Sequence, residues 1–170
     1  MTMQHHSIRS FAVERVHMSS SISYFFSIVY DPVAKDNEAQ SAAVLREFSK
    51  ETTLDSSSYV ANLIEGSASH CTEAHMDPSS YGSDDSHYFL DFDMAILGAD
   101  AEDYDQYRKE IREEYNHLDA TTYAQERSKV LRMFLQIPNI YATKEFRESY
   151  EAKARANIQR EIDLLGAPSS

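Results

Sequence analysis

Apolar residues recur at intervals of three and four over most of the chain, the period of a helix that buries one face. Asp36 is placed to cap a first helix whose apolar side is Ala39, Ala42, Ala43, Leu45 and Phe48. Ser56 to Ser58 open a second, with Tyr59, Val60, Leu63 and Ile64 inward. Thr72 to Ser86 holds Pro78, Gly82 and several Ser and Asp residues, and reads as a long polar loop, the most mobile internal segment. His87 to Leu97 reads as a helix ended by Gly98. The next helix opens at Asp100 and carries Tyr104, Tyr107, Ile111 and Tyr115 at helical spacing. Another opens at Thr121 or Thr122 and turns Val130, Leu131, Phe134 and Leu135 inward. Pro138 interrupts before a last helix from about Thr143, with the stripe Phe146, Tyr150, Ala154, Ile158, Ile162 and Leu165, stopped by Gly166 and Pro168.

The N-terminal part is less regular. Ile8 to Val16 has the spacing of a short helix, whereas Ser23 to Tyr30 reads by propensity as a strand, followed by a turn at Asp31-Pro32. The expected organisation is a poorly defined segment over residues 1–20, one domain over 21–166 and a frayed tail over 167–170.

Only four glycines and four prolines occur in 170 residues, which favours long helices over a turn-rich β fold. The formal charge of -12 repels phosphate backbones, which argues against nucleic acid as a partner. It also repels free nucleotides unless a bound cation or an arginine cluster reverses the local field. Cys71 is the sole cysteine, so no internal disulfide forms, and a cytoplasmic location suits it. The apolar run Ile22 to Tyr30 is interrupted by Ser23 and Ser27 and too short to span a bilayer, so no membrane partner is expected.

One carboxylate asks for an explanation. On a helix from His87 to Leu97, Asp93 shares a face with Leu90, Ile96 and Leu97. A carboxylate there needs a metal, a lysine or an arginine such as Arg112, Arg127 or Arg155, or donors from a helix end. Asp91 points elsewhere, where an exposed or capping role suffices. His5 and His6 are adjacent, and His70 and His75 flank the start of the polar loop. There is no HExxH, CxxC, GxSxG, Walker loop or GxGxxG, which removes the commonest protease, zinc-ribbon, hydrolase and nucleotide-loop chemistries.

Several segments, in order, resemble a family of small metal-dependent phosphohydrolases of the HD superfamily. They are Ile28 to Pro32, Asp36-Asn37-Glu38 with Ser41-Ala42, Leu63-Ile64 leading to His70, and Phe89 to Gly98. Tyr104, Tyr107, Ile111-Arg112, Glu114-Tyr115, Arg127, Val130-Leu131, Phe134-Leu135, Ile140-Tyr141, Thr143, Ala154-Arg155 and Asn157 continue the match. The resemblance implies an all-α, HD-domain-like helical bundle and overrides the strand near Phe25. It implies a divalent metal (manganese, iron, cobalt, zinc or magnesium) and a small phosphorylated substrate. Asp93 matches a metal ligand, His70 a second ligand or phosphate contact, and Glu38 or Asp36 a group that orients water. The family's His-Asp doublet should stand just before Ile28, where this chain has Phe26-Ser27. The lysine before the matching histidine is also lost, since Ser67 and Ala68 occupy the Thr-Lys positions. Two functions therefore stand side by side: a phosphohydrolase with an impaired site, and a non-catalytic helical module derived from that scaffold. The sequence leaves the oligomeric state open.

Overall fold

A computed structural model describes residues 28–31, 34–51, 57–69 and 71–167. Among the described residues every regular element is helical, and an isolated parallel bridge joins Gly82 to Thr143. The chain divides into two compact units, Met1–Ala68 and Ser69–Ser170. The predicted helix over Ile8 to Val16, most of the strand-like run before Ile28, and the tail from Pro168 lie outside the described residues.

The first unit contains α1 (Asn37–Lys50) and α2 (Ser57–Ser67). Asp36 occupies the N-cap, but its side chain makes no capping hydrogen bond. The neighbouring Asn37 ties the entry turn instead. Its Oδ1 accepts from the Asp31 amide (3.0 Å) and its Nδ2 donates to the Asp31 carbonyl (2.8 Å). Burial falls on Ser41, Ala42 and Leu45 of α1 and on Val60, Ala61, Ile64 and Ser67 of α2. Phe48 and Tyr59, expected inward, are 46% and 44% exposed. The buried stripes are narrower than the apolar pattern and include the small Ser41, Ala61 and Ser67. Arg46 of α1 donates to both oxygens of Glu65 on α2 (2.5 and 2.9 Å), an exposed pair of small energetic weight.

The second unit contains α3 (Glu73–Met76), α4 (Asp85–Asp93), a 3-10 turn (Ala95–Gly98), α5 (Ala101–Glu114) and α6 (Ala120–Gln136). It ends in α7 (Lys144–Phe146), a π turn (Arg147–Glu151) and α8 (Ala152–Gly166), which follow one another without a break. Phe146, Ala154, Ile158 and Ile162 form the buried stripe that the spacing predicts, and they meet Leu97, Tyr104, Leu131, Ile140 and Tyr141 in one core. Helix α6 starts one turn position earlier than expected. The Asp119 carboxylate accepts from the Thr121 and Thr122 amides (3.0 Å each), a stronger cap than either threonine offers. Val130, expected inward, is 46% exposed. The predicted polar loop is partly helical, and Ala74 and His75 within it are buried. No helix among the described residues is long and apolar enough to cross a membrane.

Gly98 sits where the 3-10 turn meets the π turn. A Cβ at this position would lie 2.6 Å from Tyr150 Cβ and 2.9 Å from both the Tyr141 hydroxyl and the Tyr150 carbonyl. Two of these neighbours belong to the body of a helix and cannot swing away. Gly98→Ala should therefore cost about 1–3 kcal/mol of stability as overpacking, read as a lowered urea midpoint. An unchanged midpoint would mean that the two turns separate at no cost.

Candidate functional site

Glu38 lies half-buried on α1 in the first unit, Asp93 is the half-buried last residue of α4 in the second, and His70 lies outside the described residues. No group of three or more His, Cys, Asp or Glu side chains among the described residues is arranged to hold a metal ion.

Burial within α4 is the reverse of the expectation. Asp91 is 0% exposed, whereas Asp93 is only half-buried. The physical reason lies in the backbone. The α-helix ends at Asp93 and continues as a 3-10 turn from Ala95, so Ile96 and Leu97 do not fall on the face that α-helical spacing would give them. Asp91 instead follows Leu90 into the interior, toward residues 142 and 143.

There the Asp91 carboxylate accepts three hydrogen bonds, from the Ala142 amide (2.7 Å), the Thr143 amide (2.8 Å) and the Thr143 hydroxyl (2.6 Å). Burial pushes its carboxyl up from the usual value, and these donors, with the charge of Arg147, work against that rise. The segment it grips, residues 137–143, is irregular backbone that is buried from Asn139 onward, so its polar groups need partners. Three charged residues at four-residue spacing supply most of them. Glu151 accepts from the Ile140 amide (3.0 Å) and the Tyr141 amide (3.2 Å). Arg147 donates to the carbonyls of Tyr141 (2.7 Å), Ala142 (3.1 Å) and Ala74 (2.5 Å). Arg155 donates to those of Leu135 (3.3 Å), Ile137 and Pro138 (2.9 Å each), and to Glu151 (2.8 Å). Asn139 closes the remaining side, its Nδ2 reaching the Ala74 and Asp77 carbonyls at 3.0 and 3.1 Å.

Two histidines border this network. The Thr72 amide donates to Nδ1 of His75 (3.0 Å), and the Asp84 amide donates to Nδ1 of His87 (3.2 Å). Each imidazole thus supplies the returning half of a capping box, at α3 and α4 respectively, a place usually taken by Glu or Gln. Accepting at Nδ1 fixes each proton on Nε2. His75 is 2% exposed, and the His87 ring lies so close over Gly82 that a Cβ there would collide with it. Burial, then the charges of His87 and Arg147, hold the His75 imidazole below its usual 6.5, with Glu151 and Thr72 pulling the other way.

A separate buried carboxylate, Glu161, is 0% exposed on the apolar face of α8. It accepts from the Tyr104 hydroxyl (2.5 Å) and from Arg127 Nε (3.0 Å) and Nη2 (3.3 Å). Burial and then Glu161 push the Tyr104 phenol far up. Burial works against the Arg127 charge, but Glu161 and Tyr107 outweigh it and leave the guanidinium above its usual value. Arg127, proposed from the sequence as a partner for Asp93, thus serves Glu161, while Arg112 donates to the Tyr115 and Leu118 carbonyls.

Glu151, Glu161 and the capping role of the histidines stand outside the metal centre expected from the sequence, and Asp91 is buried where an exposed or capping role was expected. Their signals were nonetheless in the sequence: Thr72 and Asp84 each stand three before a histidine, Arg147, Glu151 and Arg155 follow at intervals of four, and Glu161 interrupts an apolar stripe. No protein-family model, curated protein or solved structure matches the chain.

Proposed function

We propose that this chain is a non-catalytic helical module, an HD-domain-like bundle that works by holding a partner or small ligand and not by metal-dependent hydrolysis. The observation that carries the reading is the employment of the Asp91 carboxylate. In the segment of strongest resemblance it is the fully buried acid, and it is committed to the Ala142 and Thr143 donors as a structural strut. Glu151 and Glu161 are committed in the same manner. Phe26-Ser27 in place of a His-Asp doublet supports the same reading, because a divalent site usually needs at least three protein ligands.

The phosphohydrolase reading keeps one specific support, the half-buried Asp93 at the end of α4. In that reading Asp93 and His70 hold the metal, Glu38 orients water, and the substrate is a small phosphorylated molecule. Elemental analysis of the purified full chain separates the two, after loading with manganese, iron, cobalt or zinc and exhaustive dialysis. Retention well below about one-tenth of an equivalent is expected. About one equivalent, lost in Asp93→Ala, would overturn the proposal and restore the metal-dependent hydrolase.

A further inference from the structure

We infer that His75 and His87 form an acid-operated latch on residues 72–87: neutral, they cap α3 and α4 through Nδ1, and protonation of His75 removes its cap and loosens the segment from residues 139–143. This inference does not depend on the function proposed above.

The geometry supplies each step. A protonated imidazole carries N–H at both nitrogens, so its Nδ1 can no longer accept. At His75 the Thr72 amide would lose its acceptor and face a donor 3.0 Å away, and the Thr72 hydroxyl, also 3.0 Å from Nδ1, could remain only by accepting. At His87 the Asp84 amide would be stranded in the same way. The capping role therefore demands the neutral form at two successive helix starts.

The surroundings oppose a positive charge on His75. The groups that face His75 are His87 from α4 and Arg147 and Glu151 from the π turn. Asp77 and Asp91 lie in turn within the field of Arg147, whose guanidinium also stacks over Tyr81 (4.6 Å). His87 has the exposed Asp84 carboxylate 3.9 Å from its Nδ1. Protonating His75 adds a positive charge next to His87 and to Arg147, whose Nη1 is buried without a hydrogen-bond partner. Two cations then repel where one charge stood, and Glu151 offsets only part of this.

What the latch holds is also defined. Asn139 reaches the Ala74 and Asp77 carbonyls, the Asn139 amide donates to the His75 carbonyl (3.1 Å), and the Gly82 amide donates to Ala142 (2.9 Å). The His87 ring covers Gly82 at that last contact. These bonds join residues 72–87 to the segment that Asp91 and Glu151 secure from other directions, so the first side can open while the second stays.

The sign follows from linkage. A histidine whose pKa is depressed by folding stabilises the closed form above the unfolded value near 6.5, and that contribution is lost as pH falls from there toward the folded value. Asp91 acts oppositely, since its pKa is raised by folding and protons bound there favour the closed form, so it is not the source of acid opening.

Hydrogen exchange of the full chain, followed by mass spectrometry and corrected for the intrinsic pH dependence, tests this. Between about pH 7.5 and about pH 5.5, peptides from 72–87 should lose roughly tenfold protection, while α6 and α8 change less than about twofold. In His75→Gln with His87→Gln, whose amide oxygens can accept the same backbone donors without titrating, the loss should vanish. Equal acid sensitivity in that variant, or no local loss in the parent, would overturn the latch. Ring titration of the parent by NMR gives a readout that needs no variant to fold. Nε2-protonated tautomers at neutral pH, with a His75 transition below 6.5 that coincides with opening, are expected, and an Nδ1-protonated tautomer at either ring would overturn it.

Discussion

Asp91→Ala should lower the unfolding free energy of the second unit by about 3–5 kcal/mol, among the largest losses that a single substitution in this chain can cause. The truncation removes three acceptor contacts at once. It leaves the Ala142 and Thr143 amides and the Thr143 hydroxyl without their common partner in a site where Asp91 and Thr143 are both 0% exposed. Water could reach these donors only by parting α4 from the 137–143 segment. Asp91→Asn keeps the shape but offers one acceptor oxygen in place of two, and should recover about half of the loss. Thr143→Val removes the hydroxyl alone and should cost about 1–1.5 kcal/mol. Urea unfolding followed by circular dichroism and tyrosine fluorescence gives all three. A loss under about 1 kcal/mol for Asp91→Ala would show that the carboxylate is not a strut, and would reopen it as a group held ready for chemistry.

Glu161→Ala is expected to match it, at about 3–5 kcal/mol, for a different reason. The loss is a stranded cation. Arg127 keeps its charge with a side chain only 13% exposed, and the Tyr104 hydroxyl loses its acceptor in the core. The charge, and not the volume removed, sets the cost. The triple variant Arg127→Met, Glu161→Leu and Tyr104→Phe should therefore return to within about 1 kcal/mol of the parent, because an apolar replacement of a whole buried ion pair is often neutral. If the triple variant were as unstable as Glu161→Ala, packing around α8 would be the cause and the ion pair incidental.

The helices of both units were legible from the three-and-four spacing, most clearly in α8, where Ala154, Ile158 and Ile162 are all buried as the pattern requires. What the pattern misplaced has a common cause. Periodicity assumes an unbroken α-helix, and α4 changes to a 3-10 turn after Asp93, which moved the buried acid from Asp93 to Asp91. An acid on an apolar face needs a partner, and Glu161 has Arg127 and Tyr104. Residues 72–86 read as a polar loop because much of their order comes from hydrogen bonds to residues more than fifty positions away, such as Asn139 to Ala74 and Gly82 to Ala142. No local propensity carries that information. The same applies to residues 137–143, whose backbone is satisfied by side chains from α4, the π turn and α8.

The direction of these long contacts has a consequence for synthesis. Asn139 and Arg147 supply the polar partners of Ala74, Asn157 Nδ2 caps the Leu97 and Ala99 carbonyls at 3.0 and 2.9 Å, and Glu161 receives the Tyr104 hydroxyl. The early part of the second unit is thus completed by groups translated later. A nascent chain that has reached α6 holds α3, α4 and the 3-10 turn with their carbonyls open to water. The ribosome must add some thirty further residues before the unit can close, a loop-closure step that delays folding and leaves an unfinished core for chaperones to shield in the meantime.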